Sequence, residues 1–338
     1  MKKNLIYLTI APIDRYYIWQ CQLWLDSLEK RKEDNKAVVL LFVPKGRDIP
    51  KEWYELINLF PLTKFEFIYD KDGVTNLLSV YIPILRIYCA VKYWEKHPEL
   101  QNEAIFYCDS DILFTEKFDI SAYIDNDVNY VSDTNSYLNA TYFDSKIKDV
   151  LPEKLEEFKK IDVLQHITSI CKIDREMAER NNLHSGGAQY LLKTIDVSFW
   201  KKCFGDCLNI RVYLQKINKE YFASEEKGYQ SWCADMVAVL YNLWYKNAET
   251  LVIPEMDFAW STEPISVLEK KTIFHNAGIT GEDTHPYPTF YKGKYHKGDC
   301  PFNDERLKII INDEEAKKFC NHYYLKQLLN LKNKIIWH

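Results

Sequence analysis

The chain of 338 residues has no long hydrophobic run. Its longest apolar stretch, Ala37 to Val43, is far below the roughly 18 residues that a membrane-spanning helix needs. A basic excess is missing too. The formal net charge is −5, which argues against a nucleic-acid binder working through a broad basic surface. The nine cysteines are odd in number and form no Cys-x-x-Cys pair. They read as buried, reduced thiols in a reducing compartment and not as a disulfide framework. The apolar run after Met1 is short, alternates with polar residues and lacks a small-residue cleavage site, so a first β-strand is expected there in place of a secretory leader. With no spanning segment, the expected location is cytoplasmic. No internal repeat or low-complexity linker interrupts the chain, which favours one compact domain with insertions.

What is plentiful is aromatic. Phe, Trp and Tyr make up 15% of the chain, with 24 Tyr and 9 Trp. Their apolar bodies and polar tips suit carbohydrate or nucleoside surfaces wherever they do not fill the core. Hydrophobic residues at 47% and charged residues at 28% are ordinary for a globular protein.

Periodicity predicts strands at Leu5–Ile10, Ala37–Val43, Lys64–Tyr69 and Asn129–Ser132, with helices at Tyr16–Lys30, Trp53–Phe60 and Val80–Trp94 between them. Pro83 is tolerable in a first helical turn. This alternation predicts an α/β fold with a mixed, mostly parallel sheet flanked by helices. Further on, residues 139–182 read as a charged helical insertion, Asp196–Cys207 as a helix, and Gly228–Tyr245 as a helix with Trp232 among its apolar residues. Asp313–Ile336 reads as an amphipathic, Lys-rich helix with a solvated face, and peripheral membrane contact is its lesser alternative.

One stretch organises the rest. In Ala104-Ile105-Phe106-Tyr107-Cys108-Asp109-Ser110-Asp111-Ile112-Leu113-Phe114 an apolar run ends in two carboxylates. Residues i and i+2 of an extended chain point to the same side. Asp109 and Asp111 are therefore expected to project together from a strand's carboxyl end, where open α/β sheets place ligands. Two hard oxygen donors suit Mg²⁺ or Mn²⁺ held jointly with substrate phosphates. Two aspartates in a polar turn are the bland alternative.

A set of motifs resembles the nucleotide-sugar-dependent glycosyltransferases of the GT-A fold, and within them the glycogenin-like, family 8 type of retaining enzyme. Tyr107-Cys108-Asp109-Ser110-Asp111 is similar to their DxD element. Arg86 lies on the preceding helix, Ser185-Gly186-Gly187-Ala188-Gln189 resembles their small-residue strand, and Phe274-His275-Asn276-Ala277-Gly278 resembles their C-terminal His-x-x-Gly element. Lys292, in Phe290-Tyr291-Lys292-Gly293, resembles the lysine that touches the diphosphate, although it lies farther from His275 than in that pattern.

The resemblance implies a single Rossmann-like GT-A domain over 1–312. Its nucleotide-binding half would cover about 1–134, the helical insertion 139–182 and the acceptor and metal half 183–312, with a C-terminal helix over 313–338. It implies Asp109, Asp111 and His275 as ligands of Mn²⁺ or Mg²⁺, and a UDP-sugar donor contacted by Arg86, Asp109, Gly186, Gly187 and Lys292. Asp235 and Gln189 would be the catalytic residues, acting on transfer of a hexose to a hydroxyl of a glycan, protein or lipid.

Each site residue has a plainer alternative. His275 can be a turn histidine, Arg86 a partner of a nearby carboxylate, the glycines a simple turn and Gln189 a core amide. Asp235 near the start of a helix can be a dipole partner. A GT-A-like protein that binds without turnover is the rival function. A DxD phosphatase is weaker, because three strands precede the motif and Leu113 stands where that family has Thr or Val.

Overall fold

The computed structural model describes residues 3–75, 81–278 and 285–331. Its strands are β1 (Leu5–Pro12), β2 (Ala37–Val43), β3 (Lys64–Tyr69), β4 (Ala104–Cys108), β5 (Ile112–Phe114), β6 (Asn129–Asp133), β7 (Gly186–Lys193), β8 (Thr250–Val252), β9 (Phe258–Trp260) and β10 (Ile273–His275). The helices that matter below are α1 (Arg15–Lys30), α2 (Lys51–Leu59), α3 (Ile82–Lys96), α4 (Val197–Tyr221), α5 (Ala234–Tyr245) and α6 (Cys320–Asn330).

Seven strands follow the order β3-β2-β1-β4-β7-β6-β8, and β5-β10-β9 form a smaller sheet. The pairs β1/β2, β2/β3 and β6/β8 are parallel and β6/β7 is antiparallel. The chain thus has the expected mixed α/β class with a mostly parallel sheet flanked by helices. All seven residues of β2 are buried, as an unbroken apolar run requires when both faces of a strand are covered. None of the described helices is long and apolar enough to cross a membrane. All nine cysteines are free, and eight of them are buried.

Contacts divide the chain into two compact units with interleaved segments. Unit 1 is Met1–Asn4, Val74–Phe106 and Tyr123–Ile253; unit 2 is Leu5–Gly73, Tyr107–Ala122 and Pro254–His338.

In unit 1, α4 runs 25 residues, well past the expected end at Cys207. Gly205 costs about 1 kcal/mol of helix propensity. It does not stop the helix because Cys207, Ile210, Leu214 and Ile217 prolong the buried stripe. Residues 139–182 do contain helices, in short pieces. Asn139, Asp162 and Asp174 each cap one by accepting from a backbone N–H of its first turn. The helix expected from Gly228 starts only at Ala234, after a 3₁₀ turn over Ser231–Cys233. Trp232 sits on that turn and is 52% exposed, so it is not part of the helix's apolar face.

In unit 2, α6 begins at Cys320, after a 3₁₀ turn at Ala316–Lys318 and an extended Phe319. The helix expected from Asp313 is therefore shorter at its start, and residues 332–338 lie outside the described residues. Its inner face is a core face: Cys320, Tyr324, Leu325 and Leu328 pack with Trp19, Phe274 and Phe290. Val80, the expected first residue of α3, also lies outside the described residues, and Pro83 falls in the first turn of that helix.

Candidate active site

In unit 2, β5 continues the chain from Asp111 and pairs antiparallel with β10, so that His275 faces Ile112. The amide of Asn276 donates to the carbonyl of Asp111 at 3.0 Å. This register brings His275 next to carboxylates more than 160 residues away in sequence. Its Nε2 lies 3.4 Å from Asp111 Oδ1 and 3.8 Å from Asp109 Oδ2. One ligand atom from each of Asp109, Asp111 and His275 can be chosen so that all lie within 4.8 Å of one another. Two hard carboxylates and one imidazole, with no thiolate, make a donor set that fits Mn²⁺ or Mg²⁺. The imidazole is held by its neighbours on β9. Trp260 lies 6.4 Å away and nearly parallel, and Phe258 lies 5.1 Å away and tilted.

The two carboxylates differ in setting. The Asp111 side chain is 7% exposed and that of Asp109 28%. One is interior, and the other stands at the rim where a ligand can reach it. Lys292 Nζ pairs with Asp111 Oδ2. Burial pushes the Asp111 carboxyl up, but Lys292 and His275 outweigh that and hold it well below the usual carboxylate range. Lys292 opens a 3₁₀ turn, and the chain before it is clamped. Phe290 N donates to Asn321 Oδ1 at 2.6 Å, while Asn321 Nδ2 donates to the Phe290 carbonyl at 2.9 Å. Helix α6, which reads in sequence as an amphipathic helix with a solvated face, thus fixes the segment carrying Lys292.

A second constellation lies in unit 1. Asp235 is in the first turn of α5, where a carboxylate meets the positive end of the helix dipole. Arg86, from α3, places Nη2 3.9 Å from Asp235 Oδ2. Tyr81, buried just before α3, joins two neighbours through its hydroxyl. It donates to the Trp232 carbonyl at 2.7 Å, accepts from the Asp235 amide at 3.1 Å and lies 3.4 Å from Asp235 Oδ1. Burial pushes the Asp235 carboxyl above its ordinary value; Arg86 and the surrounding donors offset this only in part. Arg86 is thus the partner of a carboxylate.

The small-residue strand also has a distinct local form. Between Val131 and Asp133 the β6/β7 register shifts, so that Gly187, Ala188 and Gln189 of β7 lie opposite Ser132 alone. Ala188 has φ +69°, a conformation that costs a non-glycine residue free energy and clusters at functional sites. Gly186 lies so close to β6 that a Cβ would fall 2.1 Å from the Ser132 carbonyl oxygen. A Cβ on Gly187 would meet Met236, the residue after Asp235, at 2.7 Å. Gln189 is fully buried, and its Oε1 accepts from Ser132 Oγ at 2.5 Å.

The structure therefore gathers Asp109, Asp111, His275 and Lys292 in unit 2, and Arg86 and Asp235 in unit 1, where Gly187 packs beside Met236. Sequence reasoning missed Tyr81 and the setting of Trp232. The spacing of Trp232 three residues before Asp235 was a visible signal, but helical periodicity absorbed it.

No protein-family model matches the chain, and no curated protein matches it. Among solved structures, the chain is similar to the apo structure of the bifunctional glycosyltransferase WbbM, with a TM-score of 0.49 and 12% identity. That superposition covers 98% of this chain and 50% of the other, so this chain spans half the length of the WbbM structure. It is also similar to the apo form of mouse xyloside xylosyltransferase 1, with a TM-score of 0.34, 12% identity, and 83% and 99% of the two chains covered.

Proposed function

We propose that the chain is a metal-dependent glycosyltransferase that moves a hexose from a UDP-sugar to a hydroxyl acceptor with retention of configuration. The observation that carries this reading is the Asp109–Asp111–His275 cluster with Lys292 paired to its interior carboxylate. When bound, a divalent cation would neutralise the negative charge growing on a departing diphosphate. Asp109 and Asp111 would hold it from the carboxylate side and His275 from the imidazole side. Lys292 would supply fixed positive charge to the same phosphates.

In the transfer, the bond between the sugar's anomeric carbon and the phosphate oxygen breaks, and its electron pair stays on the phosphate. The acceptor hydroxyl forms the new bond to that carbon. In a retaining transfer its proton passes to the leaving phosphate, and Asp235 steadies the sugar or acceptor. In an inverting transfer the Asp235 carboxylate takes the proton. A carboxyl raised above its ordinary value is suited to such work, because a base acts best near the ambient pH. We assign Arg86, Gly186 and Gly187 to the donor, and Gln189 to the sugar's surroundings.

The test is release of nucleoside diphosphate from a panel of nucleotide-sugars, with Mn²⁺, with Mg²⁺ and with EDTA. Metal-dependent release from a UDP-sugar by the native protein, lost in folded Asp111→Asn, is the expected result. Binding without metal-dependent turnover across the panel would establish a binding protein instead.

A further inference from the structure

Among the described residues, Trp232 is the most exposed tryptophan, with Trp260 partly buried. Trp19, Trp24, Trp53, Trp94, Trp200 and Trp244 are all at or below 2% exposure, whereas Trp232 stands at 52%. A single exposed apolar side chain is ordinary on a protein surface, and what distinguishes this indole is its aromatic and polar setting. Its placement is not loose. The ring meets Tyr81 edge-on at 5.4 Å, and the Trp232 carbonyl receives the Tyr81 hydroxyl. The Arg211 guanidinium covers the Tyr81 ring at 3.8 Å and lies 5.9 Å from the Trp232 ring. The indole is thus braced from below with much of its surface open.

The same Tyr81 hydroxyl touches Asp235, so a braced aromatic ring and a carboxylate flank one phenol. The Asp235 side chain is 14% exposed. A flat apolar surface beside a hydrogen-bonding carboxylate matches a pyranose. One face of the sugar presents C–H groups and its rim presents hydroxyls.

We propose that Trp232 is the stacking platform of a saccharide site, with Asp235 accepting hydroxyl hydrogen bonds from the stacked sugar, and that the acceptor of this protein is therefore a glycan and not a protein or lipid. This rests on the transferase reading for the word acceptor, and on unit 1 geometry alone for the site.

The experiment is calorimetric titration of the full chain with lactose, maltotriose, N,N′-diacetylchitobiose and digalacturonate, and separately with uridine. Tryptophan fluorescence is followed in parallel. The expected result is that at least one saccharide binds and shifts the fluorescence. Trp232→Ala should then bind it roughly tenfold more weakly or worse, and Trp232→Phe should recover most of the affinity. The fluorescence response should disappear in both variants.

Unchanged saccharide affinity in Trp232→Ala overturns the proposal. So does failure of every saccharide to bind the native protein, or Trp232-dependent binding of uridine alone. The two readings fail separately. Trp232-dependent saccharide binding without nucleotide-sugar turnover removes the transferase and keeps the platform. Turnover with saccharide binding indifferent to Trp232 does the reverse.

Discussion

Replacing Lys292 by Met should change cation binding and diphosphate binding in opposite directions. The Lys292 ammonium pairs with Asp111, whose side chain is 7% exposed against 16% for the lysine. An arriving divalent cation must compete with that charge for the same carboxylate. At about 4 Å and an effective dielectric near 20, the pair's Coulomb energy is about 4 kcal/mol. Solvent at the lysine and the cost of rearranging it reduce the net effect to about 1.4–2 kcal/mol. Lys292→Met should therefore bind Mn²⁺ alone roughly ten- to thirtyfold more tightly than the native chain.

With UDP present the sign reverses. The native ammonium then serves the phosphates, and losing a charge-assisted hydrogen bond of about 1.5–3 kcal/mol should weaken UDP at saturating Mn²⁺ by about tenfold or more. Paramagnetic resonance titration of free Mn²⁺, with and without UDP, reads both effects. Circular dichroism checks the fold, which should survive because Lys292 lies in a short 3₁₀ turn. Mn²⁺ affinity that is unchanged or weaker in the absence of UDP would refute the competition. UDP affinity unaffected by the change would remove Lys292 from the diphosphate site.

Three further outcomes follow from single side chains. Asp235→Asn should lower transfer by about tenfold or more, through loss of a charge-assisted hydrogen bond to the sugar or acceptor, while leaving stability equal or slightly higher at neutral pH. The raised native carboxyl means that folding opposes its ionisation, a cost present above the ordinary carboxylate range and removed by the amide, as urea unfolding will read. Gly186→Ala should destabilise the protein by about 2 kcal/mol or more in the same assay, because the added carbon meets the Ser132 carbonyl, a backbone atom that cannot swing away. Asp304 accepts from Lys294 at 2.6 Å and from the Tyr295 hydroxyl at 2.8 Å. Burial pushes its carboxyl up, but Lys294, Arg306 and Tyr295 hold it well below the usual range. Its stabilisation is thus complete above the ordinary value near 3.8 and fades as pH falls further. Asp304→Asn should lose about 1–3 kcal/mol at pH near 7, with the gap to the native chain narrowing when unfolding is repeated at pH about 3.

Elements whose signal is local were legible in the sequence. Unbroken apolar runs such as Ala37–Val43 mark strands covered on both faces, and the alternation of strands with helices sets the α/β class. Asp109 and Asp111 were legible as a pair from their place after an apolar run, but they meet across a turn between β4 and β5 and not as i and i+2 of an extended chain. Element ends were less legible. Helix α4 outran a glycine because its buried stripe continued, and α5 began late because a 3₁₀ turn intervened.

The motif resemblance already grouped His275 with Asp109 and Asp111, and the tertiary structure supplies the physical cause. The β5/β10 register sets His275 against Asp111, and Asn321 on α6 clamps the backbone ahead of Lys292. Trp232 shows the limit most clearly. Its spacing fits an apolar helical face as well as an open platform, and only the turn before α5 and the phenol of Tyr81 turn it to solvent. Register and charge pairing are sums over residues far apart in sequence, so no local pattern encodes them.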